Sequence, residues 1–562
     1  MNNKSTLVSL LSCLTAWDLI ISLLLAVMFA ISPQYIANGQ LVFSGRTALL
    51  LFLYFIAFLG CGILARFFMC RSSRDNSRIA QGVQRFLNKK NSLILLSLFM
   101  FLLWLPVLII LYPGTAINDT WGQLSQFVYT FYSSDKIQFQ YLGDHHPVLT
   151  TFIMGQGIIP AAELTGSLQA AFFVYVLLQA FLTCLAFSYS LLYMYKTLDA
   201  GEGFVLSVFC IYSLLPIFPG SAQTICKDAI SAWIFVYFTI AFIEIVRTKG
   251  EYLDKAYHRD LFILFCWMAC ATKKVNYYVV FISLLFVLPV IRKNRKYLVG
   301  LLIGGVLLFN VLWPAVMNAA GITGGGKTEM LSLPFQMTAR YVKEHPDDIR
   351  EDEYEVIDKM LYMGDLADRY DPISADPVKG FAFFERFEDS DYADYIRVWI
   401  SQGMRHPGSY INAVLAMESG WFSWTKYYPL LDMSWHNQLD PRLFSEEVTV
   451  RPAWNREKAS GYQKLLDRIY KIPVIGLLFT YGLYAALIPA FVICTLLTKR
   501  KKNGIHGWIG AMPMLLSLAL GCWLAPVSVH FEGRRYLYPI TYTALIMIAW
   551  CRYWIRMKTE TD

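Results

Sequence analysis

The sequence predicts an all-α polytopic membrane protein of about twelve transmembrane helices, with one mainly helical extracytoplasmic domain. Three observations predict the membrane architecture. The 562-residue chain is 56% hydrophobic and only 16% charged, whereas a soluble chain of this length would expose more charge. Its apolar residues fall in blocks of about 20, the length that spans a hydrocarbon core of roughly 30 Å. Lys and Arg gather in short loops between the blocks, the bias of cytoplasmic loops.

The first block, 7–31, is too long for the apolar core of a signal peptide, and it is read as an uncleaved helix. Basic loops at 66–90, 292–296 and 499–502, with the tail at Arg552, Arg556 and Lys558, mark the cytoplasmic side. The spans then fall near 7–31, 47–67, 91–112, 168–195, 203–220, 228–247, 261–273, 277–291, 297–317, 473–497, 505–527 and 536–556. Both termini are cytoplasmic only if 146–163 does not cross. That stretch is short and carries Gly155, Gln156, Gly157 and Pro160, so a re-entrant or interfacial helix is expected. Asp18, inside the first helix, is read as an interhelical packing contact.

Four regions follow. Residues 1–90 hold an N-terminal transmembrane pair and a basic cytoplasmic loop. Residues 91–317 form a transmembrane core that includes the first extracytoplasmic loop, 113–145. Residues 318–470 form an extracytoplasmic domain, and 471–562 the C-terminal transmembrane helices. Charge divides along these lines. The 318–470 region carries 25 acids and 17 bases, net −8, and the remainder 16 acids and 32 bases, net +16. The basic part is mostly loop flanks, so nucleic acid is not an expected partner. None of the 11 cysteines lies in 318–470, so no disulfide staples that region. MTARYVKE and YEVIDKMLYM there show helical periodicity.

Several polar groups share the outer face of this topology. They are Asp119 in YPGTAINDTWGQ; Asp144, His145 and His146 just before Pro147; Lys227 and Asp228; Lys273 and Lys274; and Arg534, Arg535 and Tyr536. Each has an ordinary reading. Lys227 fits a snorkelling anchor, Lys273–Lys274 the end of a short helix, Asp119 a helix N-cap, and His145–His146 an interfacial cap. Their conjunction asks for more, because three distant segments bring cations to one face, against the positive-inside bias. An anionic partner is expected there.

Sugar transfer from a polyprenyl-phosphate donor needs such a set. Arg and Lys stabilise the charge growing on the leaving lipid phosphate. A carboxylate takes the proton of the attacking hydroxyl. One-step attack opposite the departing phosphate inverts the anomeric centre. The donor-phosphate cations are expected to be Lys227, Lys273, Lys274, Arg534 and Arg535. Asp119 is the expected base, on a loop beyond its helix. Asp144, His145, His146, Asp228 and Tyr536 are expected to orient the substrate. Trp421, Trp424, Trp435, Tyr427 and Tyr428 are expected to stack on sugar or close the cavity, or to form an interfacial belt.

The order of these features resembles the GT-C superfamily of membrane glycosyltransferases. Asp119 after a transmembrane helix is similar to that family's essential first-loop Asp. HHPVLT at 145–150 resembles its His-Pro element, ATKKVNYY at 271–278 its Lys-bearing motif, and Arg535-Tyr536-Leu537-Tyr538-Pro539 its Arg-Tyr-x-x-Pro element. KDAISAW, LPFQMTARYVKE, YDPISADPVK and RHPGSYINAVLAMESGWF resemble an uncharacterised bacterial branch. The resemblance covers about residues 90–556. It implies a polyprenyl-phosphate sugar donor and an acceptor outside the cell membrane: a surface glycan, a lipid-linked glycan or a protein. The second acidic loop motif and the Trp-Trp-Asp signature of the oligosaccharyltransferase branch are not evident. Asn118 precedes Asp119, so there is no DxD; Asp144, His145 and His146 could ligate a divalent ion, but no metal is expected. A transporter, a glycan polymerase or ligase, and a non-catalytic scaffold are the competing readings; mid-bilayer charges and inverted repeats, which would favour a transporter, are not seen.

Overall fold

The computed structural model describes residues 14–70, 77–325, 328–383, 387–428, 453–498, 504–524, 526–527 and 529–556. The chain is an all-α polytopic membrane protein. Among the described residues eight helices are long and apolar enough to cross a bilayer: Ala16–Asn38, Gly45–Phe67, Ser92–Ile110, Val148–Thr165, Leu168–Lys196, Lys227–Arg247, Arg295–Ala319 and Gly504–Trp523. A helix satisfies its own backbone groups, which is why apolar segments in lipid adopt it.

Seven of these eight overlap expected spans; the first, expected at 7–31, is described only from residue 14 and its helix runs on to Asn38. The eighth, Val148–Thr165, is the stretch expected not to cross; Pro160 lies inside its helix, and by length and hydropathy it stands with the others. Of the five remaining expected spans, 536–556 is the 19-residue helix Tyr538–Arg556, and the other four are shorter or interrupted. The block 203–220 breaks into Glu202–Leu214 and Ile217–Ala222 around Pro216. The block 473–497 is a 3-10 turn, a π-turn and the helix Ile488–Thr498. A proline ring at these points removes a backbone donor and disrupts the helical ladder.

Burial sorts the long helices. Lys227–Arg247 is 89% buried over its most apolar window, so an all-round apolar helix is here the centre of the bundle. Over the corresponding windows of Gly45–Phe67 and Arg295–Ala319 no residue is buried, and these helices present apolar faces suited to lipid. Asp18 is an interhelical contact: its carboxylate accepts from Arg66 on the neighbouring helix Gly45–Cys70 and from the Cys494 thiol at 3.2 Å.

A second apolar core belongs to the mid-chain unit. Helices Ser332–Glu344, Glu351–Leu361, Asp389–Arg405 and Pro407–Glu418 meet around Phe335, Tyr341, Ile357, Leu361 and Tyr395. The MTARYVKE and YEVIDKMLYM periodicities fall on the first two. Helix Ala453–Tyr470 leaves this unit and docks on the bundle. Its Asn455 amide donates to the carbonyls of Ile109 and Ile110 at 3.0 and 2.9 Å, satisfying backbone groups that the end of Ser92–Ile110 leaves open.

The expected sugar-stacking aromatics lie elsewhere. Trp421 and Tyr428 are fully buried in the core of the bundle, and Trp424 stacks on Phe29 at 4.3 Å between centroids. Tyr427 stacks on Tyr470 at 4.7 Å. Apolar packing has consumed these rings; Trp435 lies outside the described residues.

Candidate active site

Two short parallel strand pairs build the site. Thr115–Ala116 pairs with Thr224–Ile225, so that Thr115 lies beside Thr224 and Ala116 beside Ile225. The Gln223 side chain donates to Thr115 Oγ1 at 2.8 Å, and its carbonyl accepts from Thr115 N at 3.3 Å. Each of these strands runs directly into a helix. Asn118–Phe131 begins after the first and Lys227–Arg247 after the second. The pairing therefore sets two helix N-termini side by side. Thr120 strengthens the joint, since its hydroxyl donates to the Ile225 carbonyl and accepts from Ile117 N at 3.0 Å. Gly114, which leads into the first strand, has φ +116, and an added Cβ would lie 2.6 Å from Val176. Only glycine takes that turn without strain.

Asp119 thus stands in the first turn of a helix rather than on an extended loop. Its carboxylate is favoured there by the positive end of the helix dipole. Oδ2 accepts from Arg535 Nη1 at 2.6 Å and from Lys227 Nζ at 3.0 Å. Lys227 Nζ also donates to His146 Nδ1 at 2.6 Å, and that nitrogen is 3.9 Å from Asp119 Oδ2. Burial pushes the Asp119 carboxyl up, but Lys227 and Arg535 outweigh it and hold it well below the usual carboxylate range. Burial first, then the Lys227 charge, pushes His146 down to about 3. His146 is therefore neutral near pH 7 and acts as an acceptor for Lys227, with Pro147 starting its helix Val148–Thr165.

The second strand pair, Gly143–Asp144 with Thr323–Gly324, brings the start of the mid-chain region against the histidines. Lys274 pairs with the Asp144 carboxylate at 3.2 Å and donates to the Asp144 carbonyl. Gly325 passes so close that a Cβ would meet Lys274 Nζ at 2.8 Å and the Asp144 carbonyl at 2.9 Å.

These elements enclose a cavity of about 540 Å³. Asp119, His145, His146, Lys227, Asp228, Lys273, Lys274, Arg535 and Tyr536 all line it. Every cation described here has an acid within reach. Lys273 pairs with Asp228 at 2.7 Å, and the two side chains are only 9% and 1% exposed, so this lysine is largely committed to its partner. The Tyr536 ring has Arg535 at 5.3 Å and Lys273 at 5.9 Å from its centroid, a cation–π distance for both.

One expected phosphate ligand is misplaced. Arg534 does not line the cavity; its side chain is buried and hydrogen-bonds Tyr538. The turn Gly533–Leu537 is a 3-10 helix, with about 120° between neighbours, so Arg534 and Arg535 diverge. Asp144 stands behind the cavity wall and reaches it through Lys274. Among the described residues no group of His, Cys, Asp or Glu is arranged to hold a metal ion.

Two charged cavity residues were missed by sequence reasoning. Asp376 and Lys379 reach in from the helix Asp376–Phe383 of the mid-chain unit. They lie in YDPISADPVK, a stretch singled out by resemblance only. An acid and a base three positions apart on a charged surface otherwise read as a solvated helix pair.

Fold and site together define a polytopic helical membrane protein with a charged cavity where helix N-termini meet its mid-chain unit. The chain belongs to the DUF6020 family, a family of unknown function, which matches residues 4–561. No curated protein and no solved structure matches it.

Proposed function

We propose that this protein is a GT-C-type integral membrane glycosyltransferase. It moves a sugar from a polyprenyl-phosphate donor to an extracytoplasmic acceptor, with inversion. One observation carries this reading. Asp119, Lys227 and Arg535, from three distant segments, converge on one carboxylate oxygen inside a cavity large enough for a sugar phosphate.

In the free protein Arg535 and Lys227 neutralise Asp119. An arriving donor phosphate competes for them, because a planar guanidinium can hold two phosphate oxygens. As the cations turn to the phosphate, Asp119 loses part of what holds its pKa down and becomes a better base. The acceptor hydroxyl then attacks the anomeric carbon and passes its proton to Asp119. The bond from that carbon to the phosphate oxygen breaks, and both its electrons leave with the polyprenyl phosphate, whose added charge Arg535 and Lys227 stabilise. His146 keeps Lys227 aimed at the site.

On this reading Val148–Thr165 is re-entrant, and the five remaining expected segments cross with the other seven long helices, giving about twelve spans with both termini cytoplasmic. The cavity and the unit around 332–418 then face outward. Labelling of single cysteines in intact cells tests the sidedness: positions Ser133 and Asp371 are reached, and Arg78 is not. The function itself is tested by mass spectrometry of surface glycans from cells with the wild-type gene, with Asp119→Asn, and without the gene. The same glycosyl increment disappears in the last two. Unchanged glycans in the deletion strain overturn the proposal.

A further inference from the structure

The cavity has two chemically different walls. Lys227, Arg535 and Asp119 form a charged wall on the membrane helices and their leading turns. The rest of its lining, the second wall, includes Asp376 and Lys379 from the mid-chain unit together with Val527 and Phe531. This second wall is firmly attached. Ala375 N donates to the Val527 carbonyl at 2.9 Å, and Val378 of the same helix is fully buried in the second apolar core. The segment that carries Phe531 leads directly to Arg535, so the two walls are held in register.

The second wall is not another anion grip. Lys379 Nζ lies 3.2 Å from Asp376 Oδ1, so the pair is neutral as a unit. The Asp376 side chain is 55% exposed, against 13% for Lys379, and its carboxylate has lone pairs left for a ligand. Phe531 leaves 58% of its surface uncovered while lining a polar cavity. A carboxylate that accepts from hydroxyls, an ammonium that donates to them, and an open ring that covers a C–H face together suit an uncharged sugar. An anionic sugar would find no net positive charge on this wall, and an apolar chain would strand the ion pair.

We propose that Asp376, Lys379 and Phe531 form the acceptor subsite, and that the acceptor presents a neutral saccharide there rather than a peptide or an acidic sugar. This rests on the glycosyltransferase reading and deepens it by naming the acceptor's chemistry.

The test uses the full-length chain in lipid nanodiscs with two probes. One is a polyprenyl phosphate. The other is an array of neutral oligosaccharides beside carboxylate-bearing oligosaccharides and peptides. The wild type retains neutral oligosaccharides. Asp376→Ala lowers that retention about tenfold or more, the scale of a lost hydrogen bond to a charged group, and Phe531→Ala lowers it by removing the ring that covers the C–H face, while polyprenyl-phosphate binding is unchanged in both. Variants that bind oligosaccharide like the wild type overturn the assignment. So does a wild type that binds no oligosaccharide, or that prefers the acidic or peptide probes. Loss of both probes by Asp376→Ala and Asp376→Asn alike also overturns it, since Asp376 is then structural. Failure of the glycosyltransferase reading looks different: the wild type itself does not bind polyprenyl phosphate.

Discussion

Asp119 and Arg535 lie 416 positions apart, yet Arg535 Nη1 donates to Asp119 Oδ2 at 2.6 Å. The contact makes Asp119 a competitor of any anion that Arg535 binds. Asp119→Asn removes the competing charge and most of the basicity together. The variant is expected to bind polyprenyl phosphate more tightly than the wild type, while turnover falls by roughly 10²–10⁴-fold. Calorimetric titration and single-turnover assays measure the two effects separately. Weaker anion binding by Asp119→Asn would show that the carboxylate assists the anion instead of opposing it.

Arg535 and Lys227 differ from the other cations in sharing one carboxylate. Arg535→Lys keeps the charge but loses the two-pronged geometry, so even this change should lower donor affinity. Lys227→Ala should lower it too, and it leaves His146 without its donor. If Arg535→Ala and Lys227→Ala both titrate with donor like the wild type, the anion-site assignment fails.

Lys273 was expected to hold phosphate, but its burial against Asp228 gives it a structural part. Removing one member of a buried ion pair strands the other, at a cost of roughly 3–5 kcal/mol. Asp228→Asn should therefore lower the thermal unfolding midpoint. The double variant Asp228→Asn/Lys273→Met should recover much of the loss, because no buried charge is then left alone. A double variant no more stable than Asp228→Asn would argue that Lys273 has a part beyond this pair.

His146 sets the response to acid. Its folded pKa is pushed from the ordinary 6.5 to about 3. Between those values the unfolded chain takes up a proton that the folded site refuses, so stability falls as pH drops below about 6.5. At pH 5 the cost is about 2 kcal/mol. Asp119, whose pKa is depressed, contributes stability above the ordinary carboxylate value and loses it only at lower pH. His146→Gln keeps an acceptor for Lys227 but cannot be protonated, so its unfolding midpoint should change less between pH 7.5 and pH 5. An equal change in both proteins would remove His146 as the cause.

Glu418, at the end of helix Pro407–Glu418, is buried, and neither carboxylate oxygen has a hydrogen-bond partner among the described residues. Burial pushes its pKa well above the usual 4.5. Its protonated form is favourable below the ordinary value, and that contribution is lost as pH rises through the folded one. Glu418→Gln should therefore gain stability relative to the wild type between pH 5 and pH 9. Thermal unfolding of both proteins at the two pH values measures the gap; a gap that narrows at pH 9 would contradict a protonated Glu418.

What the sequence determined by itself is whatever local composition decides. Apolar blocks of the right length select membrane helices wherever they occur in the chain, and the Ser332–Glu344 and Glu351–Leu361 periodicities select helices in the mid-chain region. The residue types of a charged site were also legible, because basic groups that stand apart from the main basic loops are conspicuous. Partnership was not. Neighbours in sequence diverged: a tight turn sent Arg534 inward to Tyr538 and Arg535 to Asp119. Similar lysines separated: Lys273 was neutralised inside the bundle, while Lys227 bridged an acid and an imidazole. Asp376 and Lys379 joined the cavity only because a backbone bond from Ala375 to Val527 pins their helix beside it. Hydropathy and charge are properties of a residue and its near neighbours. A distance of 3 Å across hundreds of residues is set by how the helices pack, and only the tertiary structure decided it.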